Sequence, residues 1–145
     1  MVLLGRFKLY TGAIGYINNK KEIPDMLLII LGNLIGTCLM FIFPNPIAYT
    51  ILLAKLTTPL YIIFIKSIIC GLLIYCSVEA YKENKIFITF ISIPAFILAG
   101  AEHSIANFCF IIAARYFSWY LIPFSLVVII GNAVGSIIFH KIKRL

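Results

Sequence analysis

From Ile86 to Arg115 the chain reads IFITFISIPAFILAGAEHSIANFCFIIAAR. Ile86 to Ala101 carries no charge, and Phe108 to Ala114 is apolar again. Between them, Glu102-His103-Ser104-Ile105-Ala106-Asn107 sets two ionisable groups and an amide side by side. The whole has the length of a membrane span with a polar plug at its centre. A charge at mid-bilayer costs roughly 2.5–3.5 kcal/mol on insertion scales, so such residues face a pathway or a partner rather than lipid. The flanks therefore indicate the fold class, and the plug indicates where function resides.

Composition agrees. The 145 residues are 63% hydrophobic and 12% charged, with mean hydropathy +1.09. Soluble domains average about 45–50% apolar and about 25% charged, so too little polar surface is present to cover a water-soluble sphere. The net charge of +7 comes from 12 Lys and Arg scattered through short gaps, and no basic face for nucleic acid assembles. Cys38, Cys70, Cys76 and Cys109 lie in apolar segments without CxxC spacing and read as small buried hydrophobes. No metal site or cofactor motif is present in the sequence. A lone histidine in the plug, with no nucleophile–base pair, argues against an enzyme. Met1 to Lys8 lacks the charge order of a signal peptide.

About 20 apolar residues cross the hydrocarbon core as a helix. Met26–Phe43 and Tyr116–Phe139 are charge-free, Pro59–Val78 carries only Lys66, and Ile86–Arg115 is the interrupted element. Leu9–Ile17 is too short to span and reads as a half-helix. The expected fold is an all-α, multi-pass membrane protein with four full spans and one half-helix in a single domain. The gaps hold Lys20 and Lys21, then Lys55, then Lys82 and Lys85, then Arg115, and finally Lys141, Lys143 and Arg144. This alternation places the first and third gaps and the C-terminus in the cytoplasm of a cell (inner) membrane protein. Tyr116, Trp119 and Tyr120 then form an interfacial belt on the outer side.

Gly32-Asn33-Leu34-Ile35-Gly36 recurs as Gly131-Asn132-Ala133-Val134-Gly135, in spans of opposite direction. That is the mark of an inverted repeat with its site at the midplane. Gly32, Gly36, Gly131 and Gly135 are expected to pack helices closely. Each motif follows a polar six-residue segment, Lys8–Ala13 in one half and Glu102–Asn107 in the other, and both segments are expected to be non-helical. Irregular backbone at membrane depth is tolerated only inside protein or along a cavity.

At these residues the chain resembles the formate/nitrite transporter family, whose members are pentameric anion channels with an aquaporin-like protomer. Ala99-Gly100-Ala101-Glu102-His103-Ser104-Ile105-Ala106-Asn107 is similar to the family's G-[FA]-E-H-S-[VI]-A-N element. Leu121-Ile122-Pro123 with Gly131–Gly135 resembles its sixth helix, Leu9-Tyr10-Thr11-Gly12 the break in its second, and Gly32–Gly36 its third. Ile68-Ile69-Cys70-Gly71-Leu72-Leu73 is similar to its fourth. On this alignment the family's first helix and the first half of its second have no counterpart in the chain. Lys8 stands where an acid is usual, Ala13 where Asn is common, and Gly71 where Asn is usual.

The resemblance implies passive or proton-coupled passage of small monovalent anions (formate, nitrite or hydrosulfide) through a homo-pentamer. Its partners would be anions, protons and membrane lipid. His103 is the implied anion-sensing donor: its unperturbed pKa of about 6.5 lets it change charge near neutral pH. Burial favours the neutral ring and an arriving anion the charged one. Thr11 is implied to face His103, with Phe96 and Tyr10 as hydrophobic constrictions. Asn107 and Asn132 would offer amides either to free backbone groups or to the ion. Glu102 is expected to anchor its loop by accepting backbone N–H bonds, with Lys8 opposite it. The alternative is a non-conducting, truncated membrane protein that packs with complete homologues.

Overall fold

The computed structural model describes residues 9–17 and 19–145, which form helices and connecting turns without a strand. A short helix α1, Tyr10–Ala13, continues as a 3₁₀ turn over Ile14–Tyr16. Next come α2 (Ile23–Thr37, prolonged by a 3₁₀ turn to Ile42) and α3 (Pro46–Leu56). After α4 (Leu60–Lys82) follow α5 (Ile86–Leu98), α6 (Ser104–Ala114) and α7 (Leu121–Lys143). Three stretches are long and apolar enough to cross a membrane: Ile23–Ile42, Leu60–Lys82 and Leu121–Lys143. The interrupted element supplies α5 and α6 as two half-length pieces. These observations establish an all-helical chain suited to multiple passes.

The parallel pair α4 and α7 forms the spine. Its apolar centre is Ile63, Phe124 and Val128, fully buried and flanked by Leu56, Leu60 and Val127. Below that centre the two backbones nearly touch. A Cβ on Gly135 would press into the Ile68 carbonyl, one on Gly131 into Ser67, and one on Gly71 into the backbone of Asn132. Gly71, the departure from the family's usual Asn, thus sits where this spacing leaves no room for a side chain. The other two expected packing glycines differ: a Cβ on Gly32 or Gly36 meets nothing within 4 Å among the described residues. The helix that carries them is also the least covered, with 6% of its span buried.

The polar break is shorter than six residues, and its ends have identifiable causes. Helix α5 stops in a Schellman motif: Gly100 takes φ +59°, its N–H bonds the Ile97 carbonyl (3.0 Å), and Ala101 N–H bonds the Phe96 carbonyl (3.0 Å). His103 then caps α6, its Nδ1 accepting the Ala106 N–H at 3.2 Å. Ser104–Asn107 is therefore the first turn of a helix rather than loop. Tyr10–Ala13, expected as the matching irregular segment, is helical too. Lys8 lies outside the described residues.

Helix α3 departs from the sequence expectation, which places Lys55 in a gap between spans. Asn45 N–H bonds the Ala113 carbonyl (3.1 Å) at one end, and Lys55 meets Glu102 at the other. Helices α3 and α6 are thus antiparallel half-helices filling one half of the membrane depth. Lys55 consequently leaves the count of loop charges. Lys143 pairs with Glu79 (2.7 Å) and with Glu83 at one end, while Arg115 reaches the Phe41 carbonyl (3.1 Å) at the other. Hydrogen bonds from Lys143 and Lys85 hold the Glu83 carboxyl down to about 2, so this end pairing stays charged at physiological pH. Trp119 and Phe117 lie exposed just before α7, at the Arg115 end.

Candidate functional site

Asn132 organises the centre. The close approach of α4 and α7 lets its amide nitrogen donate to the Ser67 carbonyl (2.9 Å) and to the Glu102 carbonyl (2.8 Å). Its oxygen accepts the Ser104 N–H (2.9 Å) and the Thr11 hydroxyl (3.4 Å). An asparagine amide has two donors and two acceptor sites, and all four are used. Three of these partners are backbone groups and the fourth is the Thr11 hydroxyl. One fully buried side chain thereby ties α1, α4, the break and α6 to α7. Ser136, one turn on, bonds the carbonyls of Thr11 (2.5 Å) and Gly71 (3.0 Å) and fixes α1 from below.

Asn33, the counterpart of Asn132 in the other Gly-Asn motif, makes a parallel contact. Its oxygen accepts the N–H of Tyr10, the first residue of α1, at 3.1 Å. The oxygen of Asn132 accepts the N–H of Ser104, the first residue of α6. Each Gly-Asn motif therefore receives an orphan amide at the start of a short helix.

Glu102 is held differently from the expectation. Its carboxylate accepts from Lys55 Nζ (2.7 Å) and from Asn107 Nδ2 (2.9 Å), both side-chain donors rather than backbone amides. The cation that meets it among the described residues is Lys55, from α3. Glu102 is buried and Lys55 half-buried, with 4% and 18% of their side chains exposed. A lone intramembrane carboxylate would be costly; here the charge is matched and its oxygen shared with an amide. The sequence signal for Lys55 is a cation inside an apolar dozen residues.

His103 is buried, and its ring uses Nδ1 for the α6 cap. Because Nδ1 accepts a hydrogen bond there, the neutral ring carries its own proton on Nε2. That Nε2 is buried with no hydrogen-bond partner. The Ser104 hydroxyl and the Asn107 carbonyl oxygen share this condition, so three of the four such atoms among the described residues cluster within one turn. Ser104 had no assigned role; its signal was a hydroxyl at the first position of a helix inside a polar break. The Phe96 ring lies 6.1 Å from that of His103, tilted by 37°. Through Asn132, Thr11 is linked to Glu102 and Ser104, the chain neighbours of His103. Tyr10 is buried, its hydroxyl 3.5 Å from the Ile129 carbonyl.

The arrangement has no nucleophile beside a base. It offers unpaired donors in a dry setting at the N-terminus of α6, where the helix dipole favours negative charge. The model of the formate/nitrite transporter family matches residues 1–143. The chain belongs to the formate/nitrite transporter family. Members of this family transport anions across membranes and are not enzymes. No curated protein and no solved structure matches the chain. Within the family frame, the break between α5 and α6 is the region of interest, and Lys55, Glu102, Asn107 and Asn132 form its scaffold.

Proposed function

We propose that this formate/nitrite transporter conducts small monovalent anions such as formate, nitrite or hydrosulfide, passively or with protons, past His103. The single observation that carries the reading is the buried, unpartnered Nε2 of His103. A donor left unsatisfied in the interior costs about 1–3 kcal/mol, a cost offset when an anion or its conjugate acid occupies the site. The Ser104 hydroxyl is a second donor, and the α6 dipole a third favourable contribution. Phe96 and Tyr10 act as apolar slits, and Thr11 shapes the inner approach. The Asn107 oxygen, an acceptor, suits a proton-bearing species better than a bare anion. Lys55 and Glu102 cancel each other, so the break carries no net charge to trap the ion.

The cap on His103 constrains any proton coupling. Handing the Nε2 proton to an anion would leave an imidazolate unless Nδ1 were protonated at the same time. Protonating Nδ1 removes the cap from α6. Proton transfer is thus coupled to loosening the first turn of α6, whereas simple hydrogen-bond donation is not.

The parallel roles of Asn33 and Asn132 support the inverted-repeat architecture. The uncovered face of α2 supports assembly with further copies, a homo-pentamer in the family's manner, with the C-terminus cytoplasmic in a cell membrane. The same face also favours a second reading, in which the chain is a non-conducting subunit that packs with complete homologues. Flux of formate, nitrite and hydrosulfide into proteoliposomes separates the two: anion entry with wild type, and loss with His103→Ala, support the channel. Equal flux in both proteins would sink the role of the histidine, and no flux with well-folded wild type would favour the second reading.

A further inference from the structure

The fourth unpartnered buried atom lies far from the break, at the C-terminal end of α7. His140 is buried, its Nδ1 stands 2.6 Å from the Tyr75 hydroxyl, and its Nε2 has no hydrogen-bond partner. Tyr75, on α4, is fully buried, and the end of α1 rests on its ring. A Cβ on Gly15 would press into that ring, and the Tyr16 ring lies against it, centroids 4.9 Å apart and tilted by 37°. Tyr16 also meets the His140 ring edge-on (5.7 Å), donates its hydroxyl to Glu79, and lies under the Lys82 ammonium, 3.4 Å from the ring centroid. One cluster thus seats the 3₁₀ turn that ends α1 between α4 and α7. Charged groups face His140 from every side: Glu79 and Lys82 from α4, Lys143 and Arg144 from the end of α7. A proton added to the ring would set a fourth cation beside three. Glu79 is the one acid among the described residues to face it, and Lys143 and Tyr16 already share its carboxylate. The last carbonyls of α7 favour a cation, but Lys141, Lys143 and Arg144 already occupy that end. The seated ring is therefore neutral.

We propose that His140 is a positioning residue for anion passage: neutral, it seats the end of α1 through Tyr75 and so fixes Tyr10 and Thr11, and protonation releases that end. The proposal rests on the reading of Tyr10 and Thr11 as part of the path. In an imidazolium both nitrogens are donors, so any bond in which Tyr75 donates to Nδ1 is lost on protonation. Release lets the ring turn into the open groove that it lines with Gly15 and Ile17, where water solvates the charge. The sign follows from linkage. The seated state keeps the ring neutral, whereas the released state lets it titrate near the ordinary imidazole value of about 6.5. Seating is therefore complete above that pH and is lost below it. One unit below, release gains on the order of tenfold.

Hydrogen–deuterium exchange of the purified full chain in detergent reads the seat without any transport. Protection factors, which remove the intrinsic pH dependence of exchange, are compared at about pH 7.5 and about pH 5.5, on either side of the imidazole value. Residues 10–16 should lose protection on the order of tenfold at the lower pH, while α4 and α7 keep theirs. His140→Asn, which keeps a side-chain partner for Tyr75 but does not titrate, should show no such loss. Tyr75→Phe, which cuts the link and leaves the ring, should show the acid level at both. No loss in wild type, or an equal loss in His140→Asn, overturns the proposal. Formate flux into proteoliposomes, with the same pH on both sides, then tests the link to passage: the flux of His140→Asn relative to wild type should rise as pH falls. The expected exchange with a constant flux ratio would take α1 out of the path and overturn the role in passage. Failure of the reading of the break is seen separately, in His103→Ala. Should His140→Asn lose its thermal transition, His140→Gln takes its place.

Discussion

At the residue scale, His103 has two jobs on two nitrogens, and substitutions separate them. Asparagine is among the best N-caps, so His103→Asn keeps the α6 cap but withdraws the deep donor. We expect His103→Asn to hold the wild-type thermal midpoint in detergent while losing anion flux. His103→Ala should lose flux and also about 1 kcal/mol of stability. Equal flux in His103→Asn and wild type would show that capping is the residue's whole contribution. The Lys55–Glu102 pair makes a second test. Removing one partner of a buried ion pair strands the other and costs roughly 3–5 kcal/mol, whereas removing both costs far less. Lys55→Met and Glu102→Gln should each lower the thermal midpoint strongly, and the double variant should recover most of the loss. Additive losses would mean that the two charges are not coupled.

At the element scale, the glycine seam of α4 and α7 makes the Asn132 contacts possible. Gly135→Ala forces a methyl group into the Ile68 carbonyl, and overpacking of this kind costs typically 1–3 kcal/mol. Gly36→Ala has open space and should be neutral or slightly stabilising in the isolated chain, because alanine is the better helix former. A clear drop in midpoint for Gly36→Ala would instead place another copy against α2. What the sequence made legible follows from the same physics. Helices α2, α4 and α7 were readable because a lipid-crossing helix must be long and nearly charge-free. Helix α3 was not, because eleven residues with a lysine can lie at membrane depth only when α6 and Glu102 meet them, a tertiary fact. The break was overestimated because Ser104–Asn107 is polar in composition yet helical once His103 caps it. The partner that Glu102 has among the described residues, Lys55, was not legible for the same reason: it sits on α3.

At the scale of the whole molecule, the surface is apolar where a soluble protein would be charged. Phe87 (76% exposed), Phe90 (71%) and Leu98 (87%) on α5 join Leu28 (66%) and Ile35 (70%) on α2. Such a surface is stable only against lipid or other helices. Apart from Lys55, Lys66 and Glu102, the charged residues described gather at the two ends, which makes sidedness measurable. In inside-out vesicles trypsin should trim after Lys141, Lys143 or Arg144, and in right-side-out vesicles these sites should be protected. Cleavage only in the right-side-out preparation would reverse the assigned orientation. The core is small for 145 residues, so the polar ties around Asn132 contribute a large share of the specificity with which the helices meet.

Those ties also carry a consequence for biosynthesis. A chain emerges N-terminus first, so the Thr11 hydroxyl, the Ser67 and Glu102 carbonyls and the Ser104 amide all reach the membrane before residue 132 exists. Until α7 arrives, the Thr11 hydroxyl and the break's Glu102 carbonyl and Ser104 amide await a partner that hydrocarbon cannot supply, whereas the Ser67 carbonyl lies within the bonded interior of α4. The first six helices therefore cannot settle one by one into lipid in their final form. They must be held beside water or the insertion machinery until the last helix closes the bundle, and a ribosome stalled before Asn132 would leave a chain open to quality control.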